Sequence, residues 1–114
     1  MIKYCLTLPA AYEDYPFDEI ADENACTVMR HRTNKKSFAL IMKHSGKLYL
    51  NLKCAPLEAD FLRQAFKSVI PGYHMNKLHW NTVVLDDECD VPEDEIKRMI
   101  ENSYDLIKPK VRAR

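Results

Sequence analysis

At 114 residues the chain is sized for one domain, spanning 1–114, which buries enough surface to fold without a disulfide or a metal. Apolar residues make up 46% and charged residues 30%, a balance that argues against a disordered or fibrous chain. No apolar run approaches a membrane span and the N-terminus lacks a signal-peptide layout, so the expected location is the cytoplasm.

The formal net charge is zero, but the charges are segregated. Glu13 to Glu23 carries six acids and no base, whereas Ala25 to Leu57 carries seven bases and no acid. Asp86 to Glu95 holds seven acids in ten residues, and the tail Lys108-Pro109-Lys110-Val111-Arg112-Ala113-Arg114 is basic. Segregated charge creates local fields that can steer a charged partner, unless folding sets the opposite blocks side by side.

In chain order, Ile2 to Leu8 predicts a short helix ended by Pro9, and the acids around Pro16 predict a loop. Three strands follow: Ala25–Arg32, Ser37–His44 and Lys47–Lys53. In the second, Phe38, Leu40 and Met42 alternate with Ser37, Ala39, Ile41 and Lys43. In the third, Leu48, Leu50 and Leu52 alternate with Lys47, Tyr49, Asn51 and Lys53, the period of a half-buried strand. Ser45-Gly46 predicts a tight hairpin turn between them. This reading sets Lys43 and Lys47 at the hairpin tip, sharing an outer face with Ile41, Tyr49 and Asn51.

Pro56 suits a first helical position, and Leu57, Phe61, Leu62, Ala65 and Phe66 form an apolar stripe behind it. Pro71-Gly72 turns the chain. Tyr73–Met75 is a candidate short strand, and Trp80–Leu85 a firm one. Pro92 opens a last helix with Ile96, Met99, Ile100, Tyr104 and Ile107 on its buried face, stopped by Pro109. The order α-β-β-β-α-β-α predicts an α+β fold, an antiparallel sheet with helices packed on one face and the other face open.

Cys5, Cys26, Cys54 and Cys89 are far apart and lack CxxC spacing, so free and mostly buried thiols are expected. His74 and His79, five apart, share no face of a helix or strand, and no metal or cofactor is expected. Neither a nucleophile elbow nor a phosphate-cradling glycine loop occurs, and the chain has two glycines in all; a binding protein is expected rather than an enzyme. Arg30, Arg32, Lys35, Lys36, Lys43 and Lys47 are candidates for phosphate contact. Asn76, Lys77 and Trp80 are candidates for contact at a groove, and Tyr49 for contact on the open sheet face. The bland alternatives are a core role for Tyr73 and Trp80 and edge protection by the lysines.

The segment Pro71-Gly72-Tyr73-His74-Met75-Asn76-Lys77-Leu78-His79-Trp80-Asn81-Thr82-Val83 resembles the hallmark of the MmcQ/YjbR-like family of small bacterial proteins. Tyr12-Glu13-Asp14-Tyr15-Pro16-Phe17, Ser37-Phe38-Ala39-Leu40, Leu52-Lys53-Cys54, Val91-Pro92 and Ser103-Tyr104 agree in order with that family. The resemblance covers nearly the whole chain and implies a CyaY-like (frataxin-like) fold. It also implies binding to double-stranded DNA, by likeness to a double-wing domain, and brings no catalytic residues with it. Two departures stand out: a short N-terminal helix, and a first hairpin, Arg30 to Lys36, that is longer and more basic than usual. The alternatives are a protein-interaction module and, third, a small-molecule enzyme with a pocket near His74 and His79.

Overall fold

The computed structural model describes residues 2–15, 26–44, 46–73 and 75–109. A short helix α1 (Ile2–Leu6) leads into strands β1 (Ala11–Asp14), β2 (Cys26–His31), β3 (Ser37–His44) and β4 (Lys47–Lys53). Helix α2 (Pro56–Ala65), strands β5 (Val69–Pro71) and β6 (Trp80–Leu85) and helix α3 (Glu93–Ile107) complete the order. The strands form one six-stranded sheet, ordered β1-β2-β3-β4-β6-β5, with every neighbouring pair antiparallel. This is the expected α+β architecture with two edge strands added. The extra strand lies at Val69–Pro71, not at Tyr73–Met75. Both edges are short, and Pro71 on β5 lacks an N–H to offer another chain. The loop expected around Pro16 lies outside the described residues, as does His74.

Backbone pairing of His44 with Lys47 leaves residues 45 and 46 for the turn, and Gly46 takes φ 78°, the left-handed conformation such turns need. That register corrects the expected faces. Ile41 pairs with Leu50 and Lys43 with Leu48, so Ile41 and Lys43 lie on the helix-covered face and Lys47, Tyr49 and Asn51 on the other. Leu40 and Met42 belong with Tyr49 and Asn51. Phe38 is the exception to the alternation. Met29 pairs with Ala39 but Arg30 with Ser37, so Phe38 is an extra residue in β3, and the bulge turns its ring toward the helices.

Phe38 is fully buried, edge-on to Tyr104 of α3 with ring centroids 5.4 Å apart. Next to it the buried hydroxyl of Ser103 donates to the Phe38 carbonyl at 2.6 Å and accepts from the Lys53 N–H at 2.8 Å. A helix side chain thus replaces the ladder bond that β3 and β4 would otherwise make there, so neither backbone group is left unpaired. Met29, Ala39, Ile41, Leu50, Leu52, Val69 and Val83 on the sheet meet Ile96, Met99, Ile100, Tyr104 and Ile107 on α3.

Helix α2 departs from its apolar stripe. It buries Ala59 and Leu62, while Leu57 and Phe61 are 89% and 66% exposed. The far face of the sheet is not simply open either, since Val28, Asn51 and Thr82 on it are fully or almost fully buried. There the Thr82 hydroxyl donates to Asn51 Oδ1 and accepts the Tyr73 N–H at 2.8 Å, while Asn51 Nδ2 has no partner among the described residues. No helix among the described residues is long and apolar enough to cross a membrane.

Candidate nucleic-acid interface

The link between β2 and β3 is a tight turn held by its own backbone. The Lys35 N–H donates to the His31 carbonyl at 2.7 Å, and the His31 N–H donates to the Lys36 carbonyl at 3.0 Å. Closing it places Lys35 at φ 60°, a left-handed conformation uncommon for a lysine. His31 is buried at the base, its ring 5.6 Å from that of Tyr104, and its Nδ1 accepts the Thr33 N–H at 3.1 Å. Asn34 makes two further ties. Its Oδ1 accepts the Lys36 N–H at 3.0 Å, and its Nδ2 donates to the carbonyl of Ile107, at the end of α3, at 2.7 Å. The second tie locks the turn against the C-terminus of the last helix.

Of the four bases expected here, three project outward. Arg32, Lys35 and Lys36 are exposed, and none forms an ion pair among the described residues. Arg32 lies over the Tyr12 ring, 5.5 Å from its centroid. Arg30 is spent on the fold: its Nε meets Asp14 at 2.7 Å and its Nη1 donates to the Lys35 carbonyl at 3.0 Å.

Lys43 and Lys47 sit at the opposite end of the sheet, because β3 runs eight residues between the two turns, about 26 Å of extended chain. That end is acidic. The Leu85–Leu48 pair brings the start of the Asp86–Glu95 run beside the hairpin tip, where Asp86 meets Lys47 at 3.3 Å. Lys43 is exposed but faces the other side of the sheet from Lys47. The acid-free stretch of sequence is therefore split: Arg30, Arg32, Lys35 and Lys36 lie at one end of the sheet, and Lys43 and Lys47 at the other, where Asp86 pairs with Lys47.

Trp80, Asn76 and Lys77 return to the basic end, across the sheet from the turn, and are engaged in shaping their own loop. Asn76 Oδ1 accepts the Leu78 N–H at 2.9 Å, and Lys77 Nζ donates to the Gly72 carbonyl at 3.2 Å. Arg63, which the sequence did not single out, holds this loop to α2. It donates to the Lys77 carbonyl, to the Trp80 carbonyl at 3.2 Å, and through Nε to Asn81 Oδ1 at 2.6 Å. Trp80 is half-buried, and Tyr49, also half-buried, stands edge-on to Tyr73 with centroids 5.3 Å apart. The ten candidate residues thus form no single patch.

Burial pushes the Cys5 thiol up to about 11, and it also raises Cys26 and Cys54, the latter with help from Glu58. These three thiols stay protonated near neutral pH, which makes them poor nucleophiles and poor metal ligands. A groove of about 310 Å³ runs past Cys54, Glu58, Asn102, Asp105 and Leu106. Its carboxylates are already paired, Glu58 with Arg98 at 3.2 Å and Asp105 with Lys108 at 3.0 Å. Among the described residues no group of three or more His, Cys, Asp and Glu side chains could hold a metal ion.

The YjbR family model matches residues 6–106. The chain belongs to the YjbR family. It is 39% identical over 105 residues to YyaQ of Bacillus subtilis, covering 83% of this chain and 84% of that one. To YjbR of Escherichia coli it is 29% identical over 104 residues, covering 91% of this chain and 80% of the relative. A crystal structure of a Pseudomonas syringae protein superposes with a TM-score of 0.77 at 30% identity, covering 94% of this chain and 95% of the other. A Deinococcus radiodurans protein superposes equally well, TM-score 0.77 at 36% identity, over 92% of this chain and 73% of its own. The YjbR assignment extends past the hallmark segment to the turn, since residues 6–106 include both.

Proposed function

We propose that the chain is a cytoplasmic binding protein without catalytic activity, and that its ligand is the phosphate backbone of duplex DNA. The observation that carries this reading is the cluster of Arg32, Lys35 and Lys36, exposed and without ion pairs among the described residues, on a turn braced by α3. Cations fixed on a rigid turn bind phosphates with less ordering cost than lysines scattered on a mobile surface. The Tyr12 ring beside these cations lies under the Arg32 guanidinium and His31 is buried, and cations held at fixed positions suit the regularly spaced phosphates of a duplex. Backbone contact carries little sequence information, and binding would be sequence-weak.

The reading is tested by fluorescence anisotropy of a labelled random duplex at several salt concentrations, with the parent chain and an Arg32→Gln/Lys35→Gln/Lys36→Gln variant. Removing three phosphate contacts should flatten the slope of log affinity against log salt by about 2.7. An unchanged slope with the fold intact would exclude the turn as the contact surface.

Leu57 and Phe61, largely exposed one turn apart on α2, favour a second reading as a protein contact. It uses none of the same side chains, so the two can hold together.

A further inference from the structure

We infer that the outward face of α2 docks a basic amphipathic helix of a partner protein. This inference rests on the protein-contact reading above, gives that partner its chemistry, and is independent of the DNA reading. Helix α2 turns Ala59 and Leu62 toward the sheet, and its rotation of about 100° per residue then fixes where the other side chains stand. Leu57 and Phe61, both largely exposed, form a ridge on the opposite side. Asp60 flanks that ridge on one side and Glu58 on the other. Beyond Glu58 runs the groove of about 310 Å³ that ends at Leu106, itself half-exposed. An apolar ridge beside a groove is the relief against which a second helix packs.

The charge around the ridge selects the partner. Helix α2 carries two acids and one base, and α3 carries five acids and two bases. All three bases are spent within the fold. Arg63 donates to the Lys77 and Trp80 carbonyls and to Asn81, and Lys97 pairs with Glu93 at 3.9 Å. Arg98 is shared by Glu58 at 3.2 Å and Glu95 at 3.0 Å, two carboxylates on one cation. Asp60 accepts a hydrogen bond from Gln64 at 2.9 Å and forms no ion pair among the described residues. A helix with apolar side chains on one face and Lys or Arg along its margins covers Leu57 and Phe61 and answers these surplus carboxylates. A second copy does the reverse, because a two-fold contact over the ridge sets Glu58 and Asp60 against their own copies. The same carboxylates repel a duplex or an anionic bilayer.

The experiment titrates two labelled peptides of about five helical turns with the full chain and follows their anisotropy. One carries leucines on one helical face and lysines on the other; the second has glutamate in place of every lysine. The parent should bind the Leu/Lys peptide about tenfold more tightly than the Leu/Glu peptide, or better. Leu57→Ser/Phe61→Ser should weaken the Leu/Lys complex about tenfold or more. Both side chains are exposed, so this variant should share the parent melting temperature, and its duplex titration should match the parent's because Arg32, Lys35 and Lys36 are intact. Equal, measurable affinity for the two peptides overturns the basic partner while leaving the protein-contact reading standing. Leu/Lys binding that persists in the double variant puts the peptide on other carboxylates and overturns the α2 site. A parent chain that binds neither peptide overturns it as well.

Discussion

Alanine at position 38 should cost about 3–5 kcal/mol of stability, the range for removing a buried aromatic ring, whereas alanine at position 40 should cost clearly less. Strict alternation makes the two residues equivalent, because both lie on the same side of an ideal strand. The bulge separates them: Phe38 is fully buried against Tyr104, while Leu40 is half-buried on the far face. The loss at position 38 has two parts. One is the transfer free energy that burying the ring contributes, which is lost with it. The other is a cavity under Tyr104 that the hydroxyl bond from Tyr104 to the Pro9 carbonyl and the Ser103 bridge keep from collapsing. Urea midpoints of the two variants measure the difference. Equal midpoints would mean that no bulge turns Phe38 inward.

Gly72→Ala should be nearly as damaging, through backbone proximity. A Cβ at this position would lie 2.8 Å from the Trp80 Cβ, 2.9 Å from the Trp80 carbonyl oxygen and 3.0 Å from the Met75 Cβ. The carbonyl cannot retreat freely, since it accepts the Gly72 N–H at 2.9 Å and also a guanidinium proton of Arg63. One added methyl must therefore push β6 away from the loop or break both bonds, with an expected loss at or above the usual 1–3 kcal/mol for overpacking. Trp80 is the single tryptophan in the chain, so its emission reports the displacement directly. A variant with parent melting temperature and parent emission would count against this close approach.

Element order and the helix-covered sheet were legible because long periodic segments such as Lys47–Lys53 and Glu93–Ile107 announce themselves. The two edge strands were not, because Ala11–Asp14 and Val69–Pro71 are four and three residues long, too short to show a period. The faces of β3 and β4 could have been derived from the turn. A two-residue link pairs the residues on either side of it, which puts Lys43 with Leu48 rather than with Lys47. In α2 the apolar residues misled because Ala59, small enough to sit close under the Asn81 amide that bonds its carbonyl at 3.1 Å, takes the inward position and turns Leu57 and Phe61 outward. For the site, sequence showed the basic stretch but not its division. Only the strand order reveals that Arg32, Lys35 and Lys36 stand at the opposite end of the sheet from Lys47 and its partner Asp86. Nor did any motif flag Asn34, whose importance comes from a partner 73 positions away.

If the proposed duplex contact at the turn holds, that division has a consequence for how a chain of zero net charge would feel a polyanion. At physiological ionic strength the Debye length is about 8 Å, so carboxylates some 26 Å down the sheet are invisible to a duplex touching the turn. On the proposed reading the duplex would then meet chiefly Arg32, Lys35 and Lys36, since Asp14 and Asp105 at the near end are paired with Arg30 and Lys108. At about 0.01 M salt the screening length grows to about 30 Å and spans the whole sheet, so the same duplex feels attraction and repulsion together. Affinity should accordingly stop rising as salt is lowered into that range, bending a plot that stays straight for a uniformly basic protein. If a duplex docks at the turn as proposed, the length of β3 would set the salt concentration at which the protein ceases to look positively charged to it.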